Sequence, residues 1–487
     1  MFTGSPQAQF VLVIWPVVVC FLFMQLPKQR AVIVSFLIAW LFLPHRTYFV
    51  FLGLPDYERI SATCYSIFLA TMIFDSQRLQ SFKLGWLDIP MLVWCFCPLP
   101  SSLVNGLGLY DGVSQTLSQV VTWGFPYYLG RIYLNDLAGL RQMAITMFTG
   151  GLIYAPLCIL ETLISPQLHR IVYGYHPRAD FSQNIRYGGY RPTVFMEHGL
   201  EVGVWMLAAC MIGVWLWQAG VLKQFWKVPM IIIIPGLIVT FIMVKSTGAW
   251  GLFAIGLMVM FSAKWLRSGL LLWLLLGLIV FYLYMGVTGG FHGDDIVDFI
   301  SQVINSDRAQ SLEFRFDNEE LLGDRAREQM VWGWGGWGRN RVREYNWAGE
   351  LEDITVTDSL WIIAFGDRGV IGLFGLFGSF LFPVLLFCGF RYKPQTWFHP
   401  KVAPAAVLSV VLALYLFDCL LNAMVNPIYT LVCGGLVGLL LRPPESLSSK
   451  RKSVPRASSM PRRQRQTIAA TKFQASTVNN LHPKFKR

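Results

Sequence analysis

"YRPTVFMEHGLEVGVWMLAACMIGVW" (residues 190–215) sets Arg191, Glu197, His198 and Glu201 within eleven residues, at the start of an apolar run as long as a membrane span. Crossing about 30 Å of hydrocarbon takes roughly 20 apolar residues. Ionisable groups at that depth are costly and face a protein interior or a water-filled cavity. Comparable runs recur at approximately 9–26, 31–44, 60–74, 88–106, 113–131, 142–163, 229–244, 247–263, 269–287, 359–380, 403–420 and 424–441. The residues are 54% hydrophobic and 14% charged, with a mean hydropathy of +0.49. That balance excludes an ordinary soluble domain. The expected fold class is an all-α polytopic membrane protein over residues 1–441, with about 12–14 transmembrane helices. The N-terminus has no basic region or cleavage site, so its apolar run is expected to be a first span.

The formal net charge of +12 is concentrated at one end. Residues 442–487 hold twelve Lys/Arg against Glu445 alone, so 12 − 1 gives +11 there. Rich in Ser, Pro, Arg and Gln, this tail is expected to be disordered, cytoplasmic and close to anionic membrane lipids. It has few aromatics and no folded reading module, so nucleic acid is not an expected partner. The nine cysteines lie in or beside apolar runs with no C-x-x-C, which argues against disulfides and zinc.

Lys28/Arg30, Arg131/Arg141, Lys223/Lys227, Lys264/Arg267 and Arg391/Lys393/Lys401 supply the short basic connections. Placing them with the tail in the cytoplasm gives one consistent alternation, with loops 164–197 and 290–357 exoplasmic. Those two loops carry eleven arginines and no lysine. They are Arg170, Arg178, Arg186 and Arg191, then Arg308, Arg315, Arg325, Arg327, Arg339, Arg341 and Arg343. Arginine differs from lysine in its planar, always-charged fork, which binds phosphate bidentately. The plain alternative is pairing with the fourteen acids between Asp294 and Asp353.

"VKSTG" (244–248) lacks the preceding glycine loop of a phosphate-binding loop, and "GWGGWG" (333–338) lacks a strand–turn–helix setting. The Gly/Trp turn suits an interfacial anchor, or else an aromatic platform for sugar rings. No H-E-x-x-H, G-x-S-x-G or EF-hand pattern occurs.

Four features in order do resemble a family. They are "RPTVFMEHGLEVG" (191–203), "KSTGAWGLFAIGL" (245–257), "SLEFR" (311–315) followed by "VWGWGGWG" (331–338), and "TDSLWIIAFGDRGVIGLFGLF" (357–377). Over residues 85–440 the chain resembles the O-antigen ligase and polymerase superfamily of membrane glycosyltransferases. The resemblance implies a GT-C-like helical enzyme in the inner membrane of a bacterium, working at its outer face. Its donor would be a glycan on polyprenyl pyrophosphate and its acceptor a glycan or lipid, with no cofactor and no metal. Fixed cationic donors would stabilise the charge that grows on the leaving pyrophosphate. Arg191 and Arg315 are the arginines inside the family-like motifs, with Arg186, Arg339 and Arg341 as further candidates for substrate binding. His198 and Glu197 would face the same cavity as candidate catalytic groups. In the ligases of this family a histidine is expected at the start of the fourth motif. Here that place holds Asp358, the candidate group for handling the acceptor hydroxyl, whose basicity would need burial. The missing histidine favours a polymerase over a ligase. A transporter is the rival class, with Asp418, Asn422 and Asn426 as its best polar feature.

Overall fold

Each apolar run expected to span is helical in the computed structural model, which describes residues 4–50, 53, 55–178, 181–290 and 306–444. About 70% of the chain is helix. In chain order the helices are α1 (Pro6–Gln25), α2 (Lys28–Phe42), α3 (Arg59–Phe74), α4 (Ile89–Phe96), α5 (Pro98–Val104), α6 (Leu109–Gln119) and α7 (Phe125–Tyr133). There follow α8 (Leu137–Ile164), α9 (Gly199–Gln218), α10 (Met230–Met243), α11 (Thr247–Phe261), α12 (Leu270–Thr288) and α13 (Ser306–Arg327). The last three are α14 (Leu360–Leu386), α15 (Ala403–Asp418) and α16 (Pro427–Leu440).

Local chemistry fixes the ends. Ser5 accepts from the Ala8 N–H, Asp136 from Gly139 and Asn426 from Ile428, with Pro6 and Pro427 at the first helical positions of α1 and α16. Among the described residues, six helical stretches are long and apolar enough to cross a membrane. The 41° bent pair Trp86–Phe96 and Pro98–Val104 makes a seventh if counted as one span. The expected twelve to fourteen would need the shorter apolar helices as well. At 14 residues, α10 and α16 reach only about 21 Å, so neither covers the hydrocarbon alone. The tail from Glu445 onward and residues 291–305, with His292, lie outside the described residues. What remains of the second long loop is folded: it holds α13 and the hairpin Arg343–Tyr345/Leu351–Asp353.

Helix α9 is the buried axis, packed by α8, α10, α11 and α15. Helices α7 and α16 meet through glycines. A Cβ on Gly130 would stand 2.0 Å from the Leu431 carbonyl oxygen, and one on Gly434 2.0 Å from that of Tyr127. Only hydrogen fits at such a crossing. Nearby, Arg131 and Asp88 form a buried pair at 2.7 and 3.0 Å, joined by the Tyr127 hydroxyl at 2.8 Å. One of the connection cations used to infer topology is therefore neutralised internally.

The Gly/Trp turn has a structural job beside the anchoring expected of it. Helix α14 breaks at Gly369, whose φ of 64° and ψ of −167° lie in a region essentially reserved for glycine. The break strands backbone groups that a membrane protein must satisfy internally. Residues 330–335 do so: Trp334 N–H donates to the Gly366 carbonyl (2.8 Å), Gly335 N–H to Asp367 (3.1 Å), and Val370 N–H to Met330 (2.8 Å). The Trp334 indole N–H reaches the Arg325 carbonyl at 2.6 Å, and the Arg325 guanidinium lies over its ring. The turn is a splice in a broken helix. A Cβ at Gly369 would fall 2.2 Å from the Val331 carbonyl oxygen. Gly369→Ala should therefore destabilise the fold by on the order of 2–5 kcal/mol. Thermal unfolding of the detergent-solubilised protein checks this, and an unchanged midpoint would contradict the splice.

Candidate functional site

The opening motif is held from beneath by one carboxylate. Glu161, fully buried in the last turn of α8, accepts the backbone N–H groups of Leu168 (2.8 Å), Thr193 (2.9 Å) and Val194 (2.6 Å). The Tyr154 hydroxyl takes the next one, from Phe195, at 3.0 Å. Val194 has a φ of 55°, unusual for a β-branched residue, and these bonds hold it there. Hydrogen bonds to a charged group contribute about 1.5–3 kcal/mol each. The irregular stretch 192–198 is thus fixed between α8 and α9, with Arg191 at one end and His198 at the other.

Arg191 is buried and lies along the first turn of α9. A Cβ on Gly199 would come within 2.5–2.8 Å of its Nε, Cδ and Cγ, and one on Gly203 would meet Ser246 Oγ at 2.4 Å. Glycines at i and i+4 therefore cut a groove in α9, and the groove is filled by Arg191 and Ser246. Arg191 Nη2 donates to Ser246 Oγ at 3.2 Å. Above them the hairpin Ile185–Arg186/Gly189–Tyr190 lies on the 245–250 turn, with the Tyr187 hydroxyl 2.7 Å from Thr247 Oγ1. The first and second motifs are one surface.

His198 caps α9. Its Nδ1 accepts the Leu200 N–H at 3.1 Å, and its Nε2 donates to Gln183 Oε1 at 2.8 Å, which fixes the neutral tautomer. Burial first, and then Arg191, Arg178, Arg186 and Arg315 in that order, bring the imidazole down to about 3. Four guanidiniums from two loops thus disfavour a charge on one buried ring, with Arg191 packed against the first turn of α9 and Arg178 sharing Gln183 with it.

Arg315, on α13, donates to the Leu421 carbonyl at 3.0 Å and leans on Asn422 Oδ1 at 3.5 Å. Asn422 donates to Asp418 Oδ1 at 2.9 Å, and Asp418 is buried with its Oδ2 unmatched by any hydrogen bond. Asp358 Oδ2 is 4.0 Å from Arg315 Nε and its side chain is 47% exposed. The burial invoked to make Asp358 basic is absent. Asp358 does not cap α14 either: Ser359 is the capping residue, and its hydroxyl donates to Glu319 Oε1 at 2.6 Å.

The remaining candidates are occupied elsewhere. Glu197 turns to the loop after α2, where Arg46 holds it at 2.8 Å, with Arg178 and His45 both at 3.8 Å. Arg339 forks onto Asp111 at 3.2 and 3.3 Å, and Arg341 pairs with Asp353 at 2.7 Å. Both line a cavity of about 650 Å³ with Arg325 and Arg343. Acid pairing accounts for these two arginines, and only a 3.5 Å approach of Arg341 to Thr357 links them to the Asp358 end.

The contacts form two groups: Arg191, Ser246, His198, Gln183 and Arg178 around the start of α9, and Arg315, Asp358, Asn422 and Asp418 at the end of α15. Guanidinium forks at the start of α9 suit a phosphate-bearing anion. Glu161 was missed in the sequence because it closes an apolar run, although a lone acid there is itself a signal. No family model, curated protein or solved structure matches the chain.

Between pH 3 and 6.5 the unfolded His198 binds a proton that the folded ring refuses, so this residue costs stability as pH falls through that window. His198→Asn keeps an effective cap and removes the titration. The variant should melt like the native protein at pH 7.5 and resist acid better below pH 6. A lower midpoint at pH 7.5 would mean that the ring does more than cap.

Proposed function

We propose that the chain is a membrane glycosyltransferase that joins glycans carried on polyprenyl pyrophosphate at the exoplasmic face of a bacterial inner membrane. The reaction proposed is polymerisation of O-antigen or exopolysaccharide repeat units. The observation that carries this reading is the arginine bias of the two loops, with Arg191 buried against the first turn of α9 and Arg178 sharing Gln183 with His198. A donor at an outer face, away from nucleotide sugars, must be delivered by lipid, and its pyrophosphate is the anion such a cluster would hold.

In the step proposed, the acceptor hydroxyl oxygen forms the new bond to the anomeric carbon. The bond from that carbon to the pyrophosphate oxygen breaks, and the pyrophosphate leaves with the electron pair. The hydroxyl proton passes to a carboxylate at the Asp358 end. Arg191 and Arg315 stabilise the leaving charge, which is where preorganised donors count most. His198, already donating and accepting, positions the groove rather than exchanging protons. Asp358 keeps its place as the carboxylate nearest Arg315 that solvent and an acceptor can reach.

One observation favours a transporter: α14 is a broken helix. Its broken-end groups, however, are taken by residues 330–335 and left with nothing to coordinate. Gene disruption followed by gel analysis of surface glycans separates the classes. Loss of long chains with single repeat units retained supports polymerase, chains stranded on the lipid carrier mean ligase, and single units accumulating inside mean transport. Arg191→Lys and Arg315→Lys should each lose most chain extension, because a point charge cannot replace a fork. Asp358→Asn should cost on the order of 10²–10⁴ in rate if it takes the proton. Normal glycan from the lysine variants at native protein levels would remove both arginines from the site.

A further inference from the structure

Away from the arginine cluster lies a second recess of opposite character. It holds about 370 Å³ between the start of α3, the α6 helix with the π-helical turn Val120–Gly124, and the splice turn at Gly336 and Trp337. Ser114, Ser118, Gln119 and Thr122 line it from one side, at spacings of four, five and eight residues from Ser114, which is one helical face. Among the described residues the Gln119 Nε2 is buried with no hydrogen-bond partner. A buried amide with open bonding capacity is costly unless something pairs with it. The π-helical turn at the same place is a distortion that recurs at functional sites.

The lining also says what would fit. Asp56 and Glu58 stand on the far wall, and Arg368 is buried at the base. Arg368 is tied to Gln115, whose amide also takes the Gly336 N–H at 3.0 Å. Carboxylates facing the space disfavour an anion, so the pyrophosphate belongs elsewhere. Hydroxyls, a primary amide and carboxylates together supply and accept many neutral hydrogen bonds. Trp337, 74% exposed, stands at the cavity wall.

We propose that this recess is a saccharide subsite, taking the neutral sugar rings of the glycan while the arginine cluster takes its anionic end. The proposal deepens the glycosyltransferase reading and rests on it for the choice of sugar. The recess binds through hydroxyl–hydroxyl and hydroxyl–amide bonds, with a ring stacked on Trp337.

The test uses the full-length protein in lipid nanodiscs. The probe is the single-repeat oligosaccharide released by mild acid from the carrier lipids of the source cells, and binding is read by saturation-transfer NMR and titration. The native protein should bind it. Ser118→Trp, which fills the cavity, and Gln119→Leu, which keeps shape and removes the amide, should each weaken binding at least tenfold with unchanged melting. Arg191→Lys should bind the free oligosaccharide as the native protein does. Absence of binding by the native protein, or native affinity in Ser118→Trp, would overturn the subsite. Binding that Ser118→Trp abolishes, in a protein that never extends a lipid-linked chain, would keep the subsite and remove the transferase reading.

Discussion

Irregular backbone surrounded by apolar helices must find every hydrogen bond inside the protein, and this chain meets that constraint at two places on which its candidate site depends. Glu161 takes three N–H groups at the break between α8 and α9. The 330–335 turn takes the groups released where α14 breaks at Gly369. Each device converts a costly defect into a rigid one, since an unmatched buried N–H or C=O costs about 1–3 kcal/mol. The first device sets Arg191 and His198 in position. The second pulls the far loop inward, so that α13 lies against α14 and Arg315 arrives beside Asn422.

The apolar runs were legible in the sequence because periodicity and length suffice to mark a helix in lipid. The arginine bias was legible too, and Arg191 packs against the helix start that His198 caps. What could not be read was the partner of each charge. Arg339 and Arg341 look the same as Arg315 along the chain, yet Asp111, more than two hundred residues away, claims one, and Asp353 claims the other. Glu197 sits one residue from His198, yet Arg46 captures the acid at 2.8 Å. Asp418 read as part of the best polar feature for a transporter. Only the fold shows it buried at the end of α15 and joined through Asn422 to Arg315. The Gly/Trp turn had the composition of an anchor, and its splice role depends on a helix break that begins thirty residues later in the chain.

Two sites of contrasting chemistry result. One sets guanidiniums near a buried imidazole, and the other is a cavity lined by hydroxyls, amides and Trp337. Residues 333–338 belong to both stories, since the turn that mends α14 also puts Trp337 at the wall of the second recess. A lipid-linked glycan has these same two parts, an anionic junction at the membrane and uncharged rings beyond it. The pairing gives the account its economy.

The most direct measurement places purified protein in proteoliposomes with a polyprenyl-pyrophosphate-linked repeat unit as the only substrate, and follows the carrier and the glycan together by mass spectrometry. The account predicts polyprenyl pyrophosphate released in equal number to the glycosidic bonds formed, with chains longer than one repeat. Carrier and glycan that cross the bilayer still joined, with no pyrophosphate released, would contradict it.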